Sequence, residues 1–192
     1  MAEELEIEFK NILTPLQYKK IKQTYFNDNQ PFKQTNYYID TPNHDIISKK
    51  MALRIRQKAE HFEMTLKVPQ TVGLLEYNEV VDELPSEGRF LHRNELPSQI
   101  VQVLSEHHIE IETLQLLGEL TTYRLEKQLD SGLLVLDHSL YLGIEDYELE
   151  FEVTDYKQGE ISFEQLLTDL QIDKQTPDNK VKRFFDANRR TT

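Results

Sequence analysis

The chain has 192 residues, of which 38% are apolar and 29% charged, with a formal net charge of −12. The length predicts one domain spanning residues 1–192, and the acidic charge disfavours a binder of duplex nucleic acid, which is normally basic. Cysteine is absent, so disulfides and cysteine-ligated metals are excluded. The N-terminus is acidic and no apolar run approaches ~18 residues, which predicts a cytoplasmic protein with no membrane segment. The sequence leaves open whether it is a monomer or a homodimer.

Most of the chain reads as β-strands, because apolar and polar residues alternate or β-branched and aromatic residues are enriched. The predicted strands are Glu4–Asn11, Thr35–Asp40, Ala52–Lys58, Phe62–Val68, Leu74–Asp82, Leu114–Leu129, Leu133–Leu140 and Asp146–Thr154. The stretch Leu114–Leu129 is long for one strand, so Gly118 is expected to divide it.

Four amphipathic helices are predicted between and after the strands. Thr14 caps the first, with Pro15 in its first turn, and the second covers Pro97–His107. Ser162 and Gln165 form a capping box for the third, and Thr176-Pro177 opens the fourth. Because each helix has an apolar stripe, all four are expected to pack on an apolar surface.

The polar faces of the strands are almost entirely ionic. Glu6, Glu8 and Lys10 alternate with apolar residues on the first strand, and like charges recur two residues apart on others. The further members of this set are Arg54, Arg56, Lys67, Arg124, Asp137, Glu148, Glu150 and Glu152. For any single strand, a sheet with one solvated face explains this alternation. Clustered like charges repel, however, and a cluster of this size indicates a compensating ligand.

The chemistry of the two kinds of cluster indicates what that ligand is. Neighbouring carboxylates suit hard divalent cations, which prefer oxygen donors, whereas neighbouring arginines and lysines suit phosphate groups. Both together predict a polyphosphate that carries its own metal. Helices that cover the apolar side of a curled sheet would place the ionic side inside, and a barrel of about eight strands can hold one small ligand.

Several of these motifs resemble the CYTH superfamily, the triphosphate tunnel metalloenzymes, and most closely its uncharacterised branch in low-GC Gram-positive bacteria. The matching elements, in the family's order, are Glu6-x-Glu8-x-Lys10, Tyr37-Tyr38-Ile39-Asp40-Thr41, Leu53-Arg54-Ile55-Arg56, Thr65-Leu66-Lys67, Leu136-Asp137, Glu148-x-Glu150-x-Glu152 and Asn179-Lys180-Val181. Ile39 is an extra residue within the second element, and Asn179 replaces a serine. Asp40 is also explained as a turn residue.

The resemblance implies an α+β fold, a closed antiparallel eight-stranded barrel with a polar ionic interior and amphipathic helices outside. It implies Mg²⁺ or Mn²⁺ and a small-molecule triphosphate, which a hydrolase would cleave; a class IV-type adenylate cyclase and a non-catalytic polyphosphate or nucleotide receptor are the alternatives.

Carried over by position, Glu6, Glu8 and Lys10 are catalytic, and Glu76 supports the site. The expected metal ligands are Glu6, Glu8, Asp137 and two of Glu148, Glu150 and Glu152, with Glu150 and Glu152 favoured. The expected phosphate-binding residues are Lys10, Arg54, Arg56, Lys67, Arg124 and Lys180.

Overall fold

The alternating stretches form eight strands in the computed structural model, which describes residues 2–27, 29–86 and 88–191. The strands are β1 (Ala2–Leu13), β2 (Phe32–Asp40), β3 (Ala52–Lys58), β4 (His61–Pro69), β5 (Leu74–Val81), β6 (Gln115–Leu129), β7 (Gly132–Tyr141) and β8 (Ile144–Val153). They form a closed barrel in the order β1-β5-β4-β3-β2-β6-β7-β8. The predicted fold class, a closed antiparallel eight-stranded barrel with helices, is therefore confirmed.

Strand β6 differs from its prediction, because Gly118 does not divide it. The strand runs without a break from Gln115 to Leu129, and Gly118 lies within it at a φ of 151°. That backbone conformation is strained for residues with a Cβ atom and accessible to glycine. The glycine therefore lets the strand continue through an unusual conformation, where we expected it to end the strand.

The chain divides into two compact units. The first unit contains Met1–Leu5 and Gln34–Leu120, and the second contains Glu6–Lys33 and Thr121–Thr192. Strands β1 and β6 each contribute residues to both units.

The first unit has an apolar core on one side of β2–β5. Leu53 and Ile55 alternate with charged residues on β3, and they are 1% exposed. They cluster with buried residues of helix α3 (Ser98–Glu106), among them Ile100 and Leu104. The short helix α2 (Asp45–Ser48) follows β2. Asp40 is a structural residue here, since its carboxylate accepts the backbone N–H groups of Thr41, Ile46 and Ile47 at 2.7, 2.8 and 3.0 Å.

The second unit has its own core under helix α4 (Tyr156–Leu170). Phe163 and Leu167 of this helix cluster with Leu149 and Phe151 of β8. Gly159 allows the helix to approach the strand closely, because a Cβ atom at this position would lie 2.5 Å from Val153 Cγ2. The remaining helices of this unit are α1 (Pro15–Ile21), a π-helical turn (Lys22–Phe26) and α5 (Lys180–Thr191).

The first residues of the helices agree with some of the capping signals in the sequence and disagree with others. Thr14 and Gln17 form a reciprocal capping box before α1, as Thr14-Pro15 predicted. The predicted start at Ser162 is wrong, because α4 begins at Tyr156 and Asp155 accepts the backbone N–H of Gln158 at 2.8 Å. Asp155 is a strong capping residue, so it starts the helix before the Ser162 signal is reached. The last helix begins at Lys180, after the predicted opening at Thr176-Pro177.

Within the described ranges, no helix is both long and apolar enough to cross a membrane.

Candidate functional site

The second unit carries a face of charged side chains on four paired strands. This acidic face comprises Glu6, Glu8, Lys10, Arg124, Asp137, Glu148, Glu150 and Glu152. The β1–β8 register places Glu8 opposite Glu152 and Lys10 opposite Glu150. The next two registers place Asp137 opposite both Glu148 and Arg124. Strand pairing therefore brings together residues that are far apart in sequence. The alternation of side chains along each strand places them on the same face.

Arg124 and Asp137 form a two-point ion pair on the acidic face. The Arg124 guanidinium donates through Nε and Nη2 to the two Asp137 oxygens at 2.8 and 2.7 Å. The same Nη2 donates to Glu150 Oε2 at 2.7 Å. This two-point geometry is among the strongest that charged side chains make, and it fixes the orientation of Asp137 and Glu150.

Lys180 inserts its ammonium among three carboxylates. Its Nζ lies 2.9 Å from Asp137 Oδ2 and 2.5 Å from Glu148 Oε1, and it also contacts Glu150. Lys10 in turn contacts Glu8. The predicted phosphate-binding lysines therefore lie among the predicted metal ligands, and in this state they neutralise them.

Burial makes this neutralisation necessary. Asp137 and Glu148 are 0% exposed, and an unpaired buried charge is costly by several kcal/mol. Burial raises the pKa of Glu148 to about 7, with Lys180 opposing the shift and Glu150 adding to it. Burial also acts to raise the pKa of Glu150, but Lys180 and Arg124 outweigh it and hold that pKa well below its usual range.

Glu152 lies where negative charge is less well compensated. Burial raises its pKa to about 7, and although Arg124 opposes this, Glu6, Glu150 and Glu8 raise it further. Like charges disfavour one another's ionised forms. An added cation would relieve this repulsion among Glu6, Glu8 and Glu152.

Arg183 and Asp146 belong to this network although the sequence analysis did not name them. Arg183 Nη1 donates to Glu148 Oε2 at 2.6 Å, and its Nε donates to Asp146 Oδ2 at 3.1 Å. One signal could have revealed Arg183: it lies three residues after Lys180, and residues at that spacing share a helix face. Asp146 continues the row of acids two residues before Glu148, which is the period of a strand.

The first unit carries the predicted arginines on a second charged face. This basic face comprises Arg54, Arg56, Glu63, Thr65, Lys67, Glu76 and Asn78. Arg54 is opposite Thr65, which is opposite Asn78, and Arg56 is opposite Glu63. Arg56 donates from Nε to Asn36 Oδ1 at 3.1 Å. Lys67 pairs with Glu76 at 2.5 Å.

Arg54 is the least satisfied cation of the basic face. Its Nε is buried and has no hydrogen-bond partner, which is uncommon because buried polar atoms are nearly always paired. Nearby, burial acts to raise the pKa of Glu76, but Lys67 and Arg54 outweigh it and lower that pKa to about 2. A guanidinium with an unused donor and a fixed position suits an anionic ligand.

The donor atoms suit a divalent cation, although they are not preassembled around one. Carboxylate oxygens such as those of Glu6, Glu8 and Glu152 are the ligands that Mg²⁺ and Mn²⁺ prefer. In the part of the chain that the structure describes, no three His, Cys, Asp or Glu side chains are grouped so as to hold a metal ion. Lysine and arginine contacts occupy several of the carboxylates, so metal binding requires those cations to move.

Comparison with known proteins agrees with this arrangement. The sequence model of the CYTH domain matches residues 4–185. A Bacillus subtilis protein, YjbK, which is provisionally named a triphosphatase, is 39% identical over 193 residues that cover 100% of both chains.

Solved structures resemble the chain over nearly all of its length. A Bacillus halodurans protein, provisionally described as an adenylate cyclase, is 32% identical with a TM-score of 0.84, covering 96% of this chain and 100% of that one. HpAC1 of Hippeastrum, an adenylyl cyclase candidate described as having a dominant triphosphatase activity, is 22% identical. Its TM-score is 0.72, covering 95% of this chain and 96% of that one, and at this identity the likeness concerns the fold alone. The family match and the full-length relative together place this chain in the CYTH domain family.

Proposed function

We propose that this protein is a divalent-metal-dependent hydrolase of a small triphosphate compound. The observation that carries the proposal is the acidic face, where Asp137, Glu148 and Glu150 are buried. They contact arginine and lysine side chains, which are the residue types that bind phosphate. A purely structural core has little use for so many buried charges, because apolar residues of similar volume stabilise a fold as well or better. The relative YjbK, provisionally named a triphosphatase, supports the same activity.

The cationic side chains bind the phosphate groups in this proposal. Arg54 offers a buried Nε that has no protein acceptor, and Arg56 and Lys67 share its face. On the acidic face, Lys10, Arg124 and Lys180 already contact carboxylate oxygens, and a phosphate oxygen offers them an equivalent anionic acceptor. When the lysines turn to phosphate, they release carboxylates.

Carboxylates of the acidic face would then bind Mg²⁺ or Mn²⁺. Glu6, Glu8 and Glu152 are the leading ligands, because Glu8 is opposite Glu152 and the negative charges around Glu152 disfavour its ionised form when no cation is bound. Asp137, Glu148 and Glu150 are the further candidates. A bound divalent ion would neutralise phosphate charge and polarise the bond that breaks.

The reaction is water attack on the terminal phosphorus of the chain. A P–O bond to the entering water oxygen forms as the bridging P–O bond breaks, and the shortened phosphate chain leaves. The proton of the water passes to a carboxylate, Glu6 or Glu8 in this proposal. The protein contributes mainly positioning and charge neutralisation, which are the dominant demands of phosphoryl transfer.

A second candidate is a class IV-type adenylate cyclase, which the Bacillus halodurans structure favours through its provisional description. Cyclisation would use the same phosphate-binding residues, with the 3′-hydroxyl of ATP as the nucleophile and diphosphate as the leaving group. A non-catalytic receptor for polyphosphate or nucleotide is the third alternative, and it would need the cations without the complete set of carboxylates.

One product analysis separates these functions. The purified protein is incubated with tripolyphosphate, thiamine triphosphate, ATP and GTP, each with Mg²⁺, with Mn²⁺ or with excess chelator. We expect metal-dependent release of orthophosphate from at least one compound. Diphosphate with cyclic AMP from ATP would favour the cyclase. Binding measured by calorimetry without turnover of any compound would favour the receptor and refute hydrolysis.

A further inference from the structure

Arg183 connects helix α5 to the acidic face at two points. Its guanidinium donates to Glu148 Oε2 at 2.6 Å and to Asp146 at 3.1 Å, and its Nη1 also donates to the backbone carbonyl of Asp178 at 2.5 Å. Asp178 lies two residues before Lys180, the first residue of the helix. One side chain therefore ties the start of α5 to strand β8.

Asp146 is itself fixed from the other side. The Tyr141 hydroxyl donates to Asp146 Oδ2 at 2.9 Å. Burial raises the pKa of Tyr141 to about 12, and the charge of Asp146 adds to the shift, so the phenol remains a donor at neutral pH. The Tyr141 and Asp146 pair thus gives Arg183 a fixed acceptor besides Glu148.

Glu148 has both of its oxygens occupied by residues of α5. Its Oε1 accepts from Lys180 at 2.5 Å and its Oε2 accepts from Arg183 at 2.6 Å. The side chain is 0% exposed, and no other residue of the acidic face holds two cations of one helix in this way in the described part of the chain. Glu148 therefore links helix α5 to strand β8 through two ion pairs. Glu152, in contrast, is opposite Glu8 in the pairing of β1 with β8.

We propose that Arg183 is a positioning residue which, through Glu148 and Asp146, fixes the first turn of α5 and so holds the Lys180 ammonium at the acidic face. This inference rests on the proposed function, because it treats Lys180 as a phosphate-binding group. It also assigns Glu148 to helix anchoring.

The expected effect follows from what Lys180 does. A lysine that binds phosphate equally in the bound substrate and in the transition state changes KM and leaves kcat nearly constant. Loosening Lys180 by removing Arg183 should therefore raise KM about tenfold for the triphosphate that the protein hydrolyses, which corresponds to about 1.4 kcal/mol. The change in kcat should stay within about threefold.

The test compares Arg183→Gln with Arg183→Lys and with a matched control on the same helix. The control is Lys182→Gln, because Lys182 pairs with Asp178 and Asp186 and its side chain is half exposed. We expect Arg183→Gln to raise KM, Arg183→Lys to recover part of the loss, and Lys182→Gln to match the unmodified protein. In a Lys180→Met background, Arg183→Gln should add less than about twofold, since residues that act through one another are not additive.

A second measurement needs no substrate. Amide hydrogen exchange of the free protein should be faster across the first turn of α5 in Arg183→Gln than in Lys182→Gln. Equal exchange in these two variants would overturn the positioning role even if the protein hydrolyses no triphosphate. An unchanged KM in Arg183→Gln, or a full additional tenfold loss in the Lys180→Met background, would overturn its action through Lys180. Absence of turnover in the unmodified protein would count against the proposed function alone.

Discussion

The two units satisfy their buried charges in different ways. On the acidic face, the carboxylates of Asp137, Glu148 and Glu150 are each held by arginine or lysine at hydrogen-bond distance. On the basic face, Arg54 keeps a buried Nε with no acceptor. Asp137, Glu148 and Glu150 therefore have cationic partners without a ligand, whereas the Arg54 Nε has no acceptor.

The difference has a consequence for how a triphosphate would bind. A satisfied network has to exchange partners, so binding there replaces carboxylate contacts of Lys10 and Lys180 with phosphate contacts. On the basic face, the Arg54 Nε would gain an acceptor without giving one up. We therefore expect substitutions on the acidic face to affect both stability and activity, and substitutions on the basic face to affect mainly affinity.

The largest effect is expected from Asp137→Ala. This change removes one of the two carboxylates that Arg124 and Lys180 share and leaves Glu150 as the other, and breaking a buried ion pair from one side lowers stability by about 3–5 kcal/mol. Urea unfolding measures the free energy of unfolding. Asp130→Ala, at an exposed turn position, is the control, and a similar small loss in both variants would contradict the buried network.

The next effect is expected from Glu8→Gln, which removes a charge opposite Glu152. Phosphate release should fall by about a hundredfold to a thousandfold, because one preorganised electrostatic group contributes about that much. The fold should be retained, as circular dichroism would show. Glu4→Gln changes an exposed glutamate of the same strand and should leave the rate unchanged; full activity in Glu8→Gln would refute the proposed mechanism.

On the basic face, Arg54→Ala should weaken triphosphate binding by about tenfold to a hundredfold, since hydrogen bonds to charged groups contribute about 1.5–3 kcal/mol. Stability should fall less than in Asp137→Ala, because the Arg54 Nε has no protein acceptor to lose, although the charge of Arg54 helps to lower the pKa of Glu76. Calorimetric titration with tripolyphosphate measures the affinity. Arg93→Ala, at an exposed position of the same unit, is the matched control. Equal affinity in the two variants would remove Arg54 from the site.

The smallest effect is expected from the Lys67 and Glu76 ion pair, which makes the free energy of unfolding depend on pH. Although burial opposes it, Lys67 and Arg54 lower the pKa of Glu76 to about 2 from 4.5. A lowered pKa in the folded state stabilises the fold above the unfolded value and loses that contribution as pH falls toward the folded value. Glu76→Gln should therefore be less stable by about 1 kcal/mol at neutral pH, with the difference shrinking between about pH 4.5 and 2. A constant difference across that window would contradict the ion pair.

Period-two alternation predicted most of the strands, because each strand has one apolar face that must be buried. Ala52–Lys58 agrees at both ends. Strands β1, β2, β4, β7 and β8 extend beyond at least one predicted limit, whereas β5 and β6 are each one residue shorter than predicted. Local signals were less reliable where two of them competed. Gly118 reads as a breaker but lies inside β6, and Ser162 reads as a cap but lies inside α4. In both places the packing of the longer element outweighs the local preference.

For the candidate site, the sequence determined which residues are charged and which of them share a strand face. It thereby supplied Glu6, Glu8, Arg54 and Glu150 as candidates, and the family resemblance supplied their possible roles. Their membership in a metal or phosphate site stays a prediction. The sequence could not supply partners across strands, because register depends on pairings between segments more than a hundred residues apart, as for Glu8 and Glu152.

By itself, then, the sequence determined the periodicity, the like-charged rows and the membership of one family. Only the tertiary structure decided that Arg124 contacts both Asp137 and Glu150 and that Lys180 lies among the carboxylates. It also decided that Arg183, on the same helix as Lys180, contacts Glu148. The physical reason is that charge is a property of a residue, whereas the cost of that charge depends on burial and on the nearest opposite charge. Both of these are set when helix α5 packs against strand β8.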